Sequence, residues 1–206
     1  EAGVKAGYRR YEQWLNSLVY ENRHYAAIYR ECVIPSPAWM VFREDLIRCA
    51  AFDPDEYPED YDLVFRFYAH GLKVVPIPEL LHYWRDHSER SSRTMAQYAN
   101  AAYLALKVPY FLKLDHDPAR PLVLWGAGRK GKEVARHLQA AEQDFHWVCD
   151  NPAKIGLDIY GVQMQHFEII QTLDDPQILL LVSNPEEQEG IRHQLDEQGL
   201  EHFFMV

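Results

Sequence analysis

The chain has 206 residues, of which 48% are hydrophobic and 25% charged, as is typical of a soluble globular protein. No apolar run approaches the roughly 20 residues that a membrane-spanning helix needs, so the sequence predicts no membrane span. The net charge is −10, and residues 113–206 carry 8 Lys+Arg against 16 Asp+Glu, which argues against nucleic acid as a partner. Three widely spaced cysteines without a CxxC pair predict a reducing, cytoplasmic location: Cys32, Cys49 and Cys149.

Residues 1–112 are predicted to be mostly helical. The stretch 4–32 spaces its apolar residues by three and four and contains no proline. This pattern predicts one or two helices with a break near Asn22. A short extended piece follows, and a further helix is expected from about Glu44.

The next predicted element is a strongly amphipathic helix in YDLVFRFYAHG, closed by Gly71 at its C-terminal end. Residues 72–84 are predicted to be extended, with two prolines that confine them to an edge strand or an irregular strand. A helix follows up to Val108, where Pro109 ends or kinks it.

Residues 113–119 are predicted to be a linker, and the pattern changes after them. From 120 to 206 short apolar runs alternate with helical patterns, which predicts a parallel sheet with crossover helices. We therefore expect an α/β protein in which 120–206 form a small Rossmann-like domain.

A glycine-rich turn lies between the first predicted strand of this domain and the helix after it. Gly126, Gly128 and Gly131 have GxGxxG spacing, and Asp150 ends the next predicted strand, 22 residues beyond Gly128. This context is typical of a dinucleotide-binding turn, with the acidic residue positioned for a ribose hydroxyl. The alternative is that the glycines only allow strand and helix to pack closely, and the residues leave both interpretations open.

Residues 120–206 resemble the small Rossmann-like domains appended to bacterial sugar-processing enzymes, including some glycosyltransferases, acyltransferases and methyltransferases. The resemblance indicates the type of domain and says little about its ligand. The matching residues are the three glycines of the turn with Asp150, Asn151, Lys154, Gly156 and Gly161.

In the N-terminal half, the turn 53–62 (DPDEYPEDYD) contains six carboxylates. Negative charge at the start of a helix is favoured by the helix macrodipole, so helix capping is one explanation. The other is catalysis, because a cationic and histidine-containing loop follows the turn at a distance of about 20 residues.

Three blocks in order resemble the acceptor-side half of an inverting family-2 glycosyltransferase with the GT-A fold. They are PSPAWMVFREDLIRCAAFD, PEDYDLVFRFYAHG with its Glu-Asp pair, and VVPIPELLHYWRDHSERSS. The resemblance implies that Asp60 is the general base for the acceptor hydroxyl and that Glu59 supports it. Asp62 lies two residues further along the helix, which favours a cap over a catalytic residue. The resemblance further implies that the loop after the last strand binds the acceptor or the diphosphate through Arg85, His87 and Arg90. His87 would also bind the metal. An alternative explanation is that these residues are only surface charge.

The resemblance also implies a nucleotide-sugar donor, a glycan or glycolipid acceptor and a divalent metal, Mg²⁺ or Mn²⁺. The chain begins at Glu1 within helix-like sequence and lacks the donor-binding half with its DxD motif. We therefore expect the C-terminal part of a longer glycosyltransferase, inactive by itself. The alternative function is a nucleotide- or sugar-nucleotide-binding module centred on the glycine turn, or a purely structural pair of domains. The sequence leaves a homo-oligomer open.

Overall fold

The computed structural model describes residues 6–83, 95, 98 and 100–206. The chain divides into two compact units, Glu1–Leu106 and Lys107–Val206, which are described separately below. The domain boundaries expected from the sequence, with a linker at 113–119, stay a prediction.

The first unit is built from helices. Helix α1 spans Ala6–Glu21, a 3-10 turn spans Tyr25–Ala27, helix α2 spans Arg43–Arg48 and helix α3 spans Glu59–Ala69. The break predicted near Asn22 is confirmed, because Asn22 has the left-handed backbone (φ 51°) that ends a helix.

Helix α3 is the central element of the first unit. Its Phe65 ring stacks on Tyr61 with centroids 4.8 Å apart and contacts Tyr29 at 5.4 Å. The Tyr61 hydroxyl donates a hydrogen bond to the backbone oxygen of Ile28. A helix that is apolar on most sides is stable only when other elements surround it. Its buried residues are Tyr61, Asp62, Leu63, Val64, Phe65 and Phe67.

Gly71 ends this helix as predicted. Its backbone lies in the left-handed region at φ 68°, which costs a glycine little. The N–H of Leu72 donates to the Phe67 carbonyl at 3.0 Å, and the N–H of Gly71 donates to Tyr68 at 2.9 Å. These bonds satisfy carbonyl groups that would otherwise lack partners at the helix end.

Residues 72–83 are extended, but in the part of the chain that the structure describes they pair with no other strand. The sequence predicted either an edge strand or an irregular strand, and the described residues form an irregular strand. Pro76 and Pro78 have no N–H to donate to a ladder. The side chains of Val75 and Ile77 point to solvent, with 82% and 51% of their surface exposed.

Residues 107–206, all of which are described, contain a six-stranded sheet with the order β3-β4-β2-β1-β5-β6. All neighbours are parallel except β3, which is antiparallel to β4. This arrangement confirms the predicted α/β class and is consistent with a Rossmann-like fold. The strands are β1 Leu122–Trp125, β2 His146–Cys149, β3 Asp158–Ile159, β4 Val162–His166, β5 Gln177–Leu180 and β6 His202–Phe204.

Helices accompany this sheet along the chain. Strands β1 and β5 are buried at every position, as expected of central parallel strands covered on both faces. The helices are α4 Asn100–Leu114, α5 Arg129–Ala140 and α6 Pro185–Glu197, with a 3-10 helix at Phe167–Thr172. Among the described residues, none of the helices has both the length and the hydropathy that a bilayer crossing requires.

Helix α4 continues beyond Val108, so Pro109 does not end it, and the kink that was the other predicted effect of Pro109 stays a prediction. Pro109 lies inside it, and the helix reaches Leu114. Phe111 is fully buried and packs edge-on against Phe203 with ring centroids 5.0 Å apart. Burying such a side chain stabilises the fold by about 1.5–3 kcal/mol. We infer that this stabilisation offsets part of the cost of a proline within a helix.

Two glycines let β1 and α5 approach each other at backbone distance. A Cβ atom on Gly131 would lie 2.0 Å from the carbonyl oxygen of Gly126. Gly126 itself has φ 136°, and a Cβ there would lie 3.0 Å from the backbone of Leu181. The indole N–H of Trp147 donates to the same Gly126 oxygen at 2.9 Å. Both glycines are therefore required by the packing.

Replacing Gly131 with Ala should destabilise the protein, because the new methyl group overlaps a backbone oxygen that cannot move freely. We expect a loss of about 1–3 kcal/mol in the free energy of unfolding, measured by chemical denaturation. The matched control is Gly190→Ala in α6, where a Cβ would meet no described atom within 4 Å. That control should gain about 0.5–1 kcal/mol through helix propensity, and equal effects of the two changes would contradict the packing argument.

Candidate functional site

The acidic turn places Glu59 and Asp60 in the first turn of α3. The Asp60 Oδ1 atom accepts a hydrogen bond from the N–H of Tyr61 at 2.8 Å. The hydroxyl of Tyr98 donates to the Glu59 Oε2 atom at 2.6 Å. Both carboxylates are half-buried. The structure thus brings together the two acids that the sequence proposed as base and support.

Asp60 has an electrostatic environment that a simple helix cap would not have. Carboxylates in the first turn of a helix ordinarily have lowered pKa values. Burial instead raises the pKa of the Asp60 carboxyl above its usual value, and the charge of Glu59 raises it further. The N–H of Tyr61 and its own N–H act in the opposite direction but are weaker. A carboxylate with this raised pKa is better suited to accept a proton near neutral pH.

Tyrosine side chains surround this pair. Burial is the main cause that raises the phenol pKa values of Tyr11 and Tyr103, and the Asp60 charge contributes to both. The ring of Tyr103 lies 6.1 Å from that of Tyr61. The Tyr11 hydroxyl donates to the backbone oxygen of Cys32 at 3.4 Å, so among the described contacts Tyr98 is the phenol that donates to this pair.

Asp62 lies in a different environment from its two neighbours. It is 3% exposed, and its Oδ2 atom accepts from the Arg66 Nε atom at 2.8 Å. The Arg66 guanidinium also donates to the backbone oxygen of Cys49. The Asp62 side chain thus forms an ion pair one turn further along the helix, and its expected capping role stays a prediction.

The remaining predicted residues of the first unit lie outside the described residues: Arg85, His87 and Arg90. Their proposed roles stay predictions. Among the residues that are described, no group of three or more His, Cys, Asp and Glu side chains is arranged to hold a metal ion. His82, the other histidine near this segment, is exposed.

The second candidate site is the glycine turn between β1 and α5. Gly128 is the residue that precedes the first turn of α5, with φ −82°, and within the described residues no side chain caps the helix there. A Cβ on Gly128 would meet no described atom within 4 Å. The packing therefore explains Gly126 and Gly131 but does not require Gly128. Space and unpaired N–H groups at a helix start are suited to an anionic group.

The position of this turn in the sheet is the one at which open α/β proteins bind ligands. Strand β1 lies between β2 and β5, so the strand order reverses on the two sides of β1. Ligands of such sheets bind beyond the carboxyl ends of the strands at this point. Asp150 follows the last residue of β2 and is exposed. Its contact with a ribose hydroxyl stays a prediction.

The structure adds two side chains that sequence reasoning did not assign to the sites. The Lys154 Nζ atom donates to the carbonyl of Ala127, in the middle of the glycine turn, at 2.8 Å. Tyr98 contacts Glu59 across 39 residues of sequence. Lys154 lies four residues after Asp150 in the sequence, and this spacing could have indicated that Lys154 is close to the glycine turn. No sequence pattern connected Tyr98 with Glu59.

No protein-family model matches this chain, and no curated protein does. Two solved structures show distant likeness. UDP-D-quinovosamine 4-dehydrogenase from Vibrio fischeri is 13% identical with a TM-score of 0.35, over 41% of this chain and 76% of that one. RSP, a Rex-family repressor, is 14% identical with a TM-score of 0.36, over 100% of this chain and 82% of that one. Neither likeness bears on the function.

Asp60→Asn should raise the free energy of unfolding at pH 7. The Asp60 carboxyl has a higher pKa in the folded state than in the unfolded state, where it has the ordinary value of 3.8. The folded state therefore loses stability as the pH rises from 3.8 through the folded-state pKa. Below the ordinary value both states are protonated, and the gain from Asn should disappear. Urea denaturation across this pH range measures the effect.

The control for this measurement is Asp55→Asn, since Asp55 is an exposed acid of the same turn. It should leave stability unchanged within about 0.5 kcal/mol. If Asp60→Asn instead lowered stability at pH 7, Asp60 would be a stabilising cap.

Proposed function

We propose that this chain is the C-terminal part of an inverting glycosyltransferase, that residues 1–112 are the acceptor-side part of its GT-A catalytic domain, and that Asp60 is the general base. The observation that carries the proposal is the half-buried Asp60 carboxyl, whose pKa is raised by burial and by Glu59 at a position where the helix would ordinarily lower it. The order of the three sequence blocks around the Glu-Asp pair supports the same assignment.

In the proposed reaction the Asp60 carboxylate takes the proton of an acceptor sugar hydroxyl. The oxygen then attacks the anomeric carbon of a nucleotide-sugar, the bond to the nucleoside diphosphate breaks, and its electron pair leaves with the diphosphate. Attack from the opposite side inverts the anomeric configuration. Glu59, held by Tyr98, orients the acceptor, and positioning of this kind supplies much of the rate.

A divalent cation in such a reaction would neutralise the charge of the leaving diphosphate. The described residues do not provide a set of ligands for it. In this proposal Mg²⁺ or Mn²⁺ and the nucleotide-sugar are held by a donor-binding segment outside these 206 residues, with Arg85, His87 and Arg90 as proposed contacts. The three cysteines are buried and form no disulfide, which supports the proposed cytoplasmic location.

Asp60→Asn in the longer protein should lower the rate of sugar transfer by about 10²–10⁴-fold, because a positioned base contributes that much. Binding of the nucleotide-sugar, measured by calorimetry, should stay nearly unchanged. Asp55→Asn should retain the rate of the unchanged protein, since this side chain is exposed in the same turn. Full turnover by the Asp60 variant would rule out Asp60 as the base.

We infer a second function for residues 107–206, the binding of a nucleotide or sugar-nucleotide at the glycine turn. The specific observation is Gly128, which stands uncapped before α5 in open space and for which the packing gives no reason. The N–H groups of the first turn and the Lys154 ammonium, 2.8 Å from the Ala127 oxygen, would face the phosphates. Asp150 would accept from a ribose hydroxyl.

Gly128→Val should abolish binding of this ligand without unfolding the unit, since the added methyl groups occupy the space that the phosphates would enter. Calorimetric titration with uridine diphosphate, a nucleotide-sugar and NAD measures the loss. Gly190→Val is the matched control, because this exposed position also has open space around it. Absence of binding by the unchanged chain, or equal binding by the Gly128 variant, would contradict the proposal.

A further inference from the structure

The Glu59–Asp60 pair is contacted by a side chain from a distant part of the sequence. The Tyr98 hydroxyl lies 2.6 Å from the Glu59 Oε2 atom and donates to it. The Tyr98 ring meets Tyr57 edge-on, with centroids 6.1 Å apart and an interplanar angle of 90°. Tyr98 is thus fixed by a ring contact on one side and by a charge-assisted hydrogen bond on the other, which is among the stronger kinds of polar contact.

The same hydrogen bond distinguishes two adjacent carboxylates. Glu59 accepts a hydrogen bond from a phenol, whereas the Asp60 carboxylate accepts from the backbone N–H of Tyr61. Two like charges at neighbouring positions of a helix turn repel each other, and each disfavours the ionised form of the other. A fixed Glu59 therefore keeps its charge at a constant distance from Asp60.

We propose that Tyr98 is a positioning residue that holds Glu59 beside Asp60, so that Asp60 is the carboxylate that accepts the substrate proton. This inference rests on the proposed glycosyltransferase function. Tyr98 acts through Glu59 and touches no reacting atom. Its own role requires a protonated phenol, and burial together with the hydrogen bond to Glu59 raises the phenol pKa of Tyr98 well above the neutral range.

The effect on Asp60 has a definite sign. The charged and titratable groups that act on its carboxyl are Glu59 in the same turn and Glu31, and both raise its pKa. In return, the Asp60 charge acts on three phenols around it, which belong to Tyr11, Tyr98 and Tyr103. Without the Tyr98 hydroxyl the long Glu59 side chain can turn towards water, where its charge is screened from Asp60. The pKa of Asp60 should then fall towards its ordinary value.

Tyr98→Phe tests this inference, because it keeps the ring against Tyr57 and removes only the donor. The first measurement uses the present chain: the Asp60 carboxyl carbon is followed by NMR as pH is varied. We expect its titration midpoint to move to lower pH in Tyr98→Phe. Tyr57→Phe is the matched control, since it removes a hydroxyl from the adjacent ring, and its midpoint should equal that of the unchanged chain.

The second measurement uses the longer protein and separates positioning from stability. Tyr98→Phe should lower kcat by about ten- to a hundred-fold, as expected from a small displacement of a catalytic group, with donor KM unchanged. The acidic limb of the pH–rate profile should shift to lower pH together with the NMR midpoint. A structural role alone would lower the midpoint of thermal unfolding and leave the pH profile in place.

An unchanged Asp60 midpoint in Tyr98→Phe would overturn the positioning role. An unchanged kcat or an unshifted pH–rate profile would do the same. Failure of the proposed function itself would look different, because Asp60→Asn would then retain transfer activity whatever the effect of Tyr98→Phe on the NMR titration.

Discussion

The burial of helix α3 determines the chemistry of the first unit. The helix carries buried side chains around most of its circumference, including Tyr61, Phe65 and Phe67, so it must lie inside the unit. Its first turn is carried into the same surroundings, and the carboxylates of Glu59 and Asp60 lose part of their water. On an isolated helix the first-turn position would lower the pKa of Asp60. Here burial raises this pKa, because desolvation disfavours a charged carboxylate. The site is thus a consequence of how the helix is packed.

Close backbone packing has the corresponding role in the second unit. Strand β1 and helix α5 approach until the Gly126 oxygen occupies the place of a Gly131 side chain. This contact fixes the turn between them, which follows the carboxyl end of β1. Gly128 takes no part in the contact, which is why it is the glycine that a bound ligand would best explain.

Most of the secondary structure could be predicted from the spacing of apolar residues and from the glycine and proline residues that end helices and strands. The strand–helix alternation after residue 120, the break at Asn22 and the helix end at Gly71 are local features, set by side-chain spacing and by residues that tolerate left-handed backbone. Two features needed the structure. Pro109 lies within α4 and does not end it, and Phe111, two residues further on, is fully buried. Asp62 forms an ion pair with Arg66, four residues later on the same helix.

The sequence by itself determined the α/β class, the two groups of candidate residues and the adjacency of Glu59 with Asp60. Each of these depends on neighbours in the chain or on a fixed spacing. Only the tertiary structure decided that burial raises the pKa of Asp60, which phenol contacts Glu59 and which of the three glycines the packing does not require. Burial, and contacts between residues as far apart as Glu59 and Tyr98, depend on how distant segments pack, and no local pattern encodes that packing.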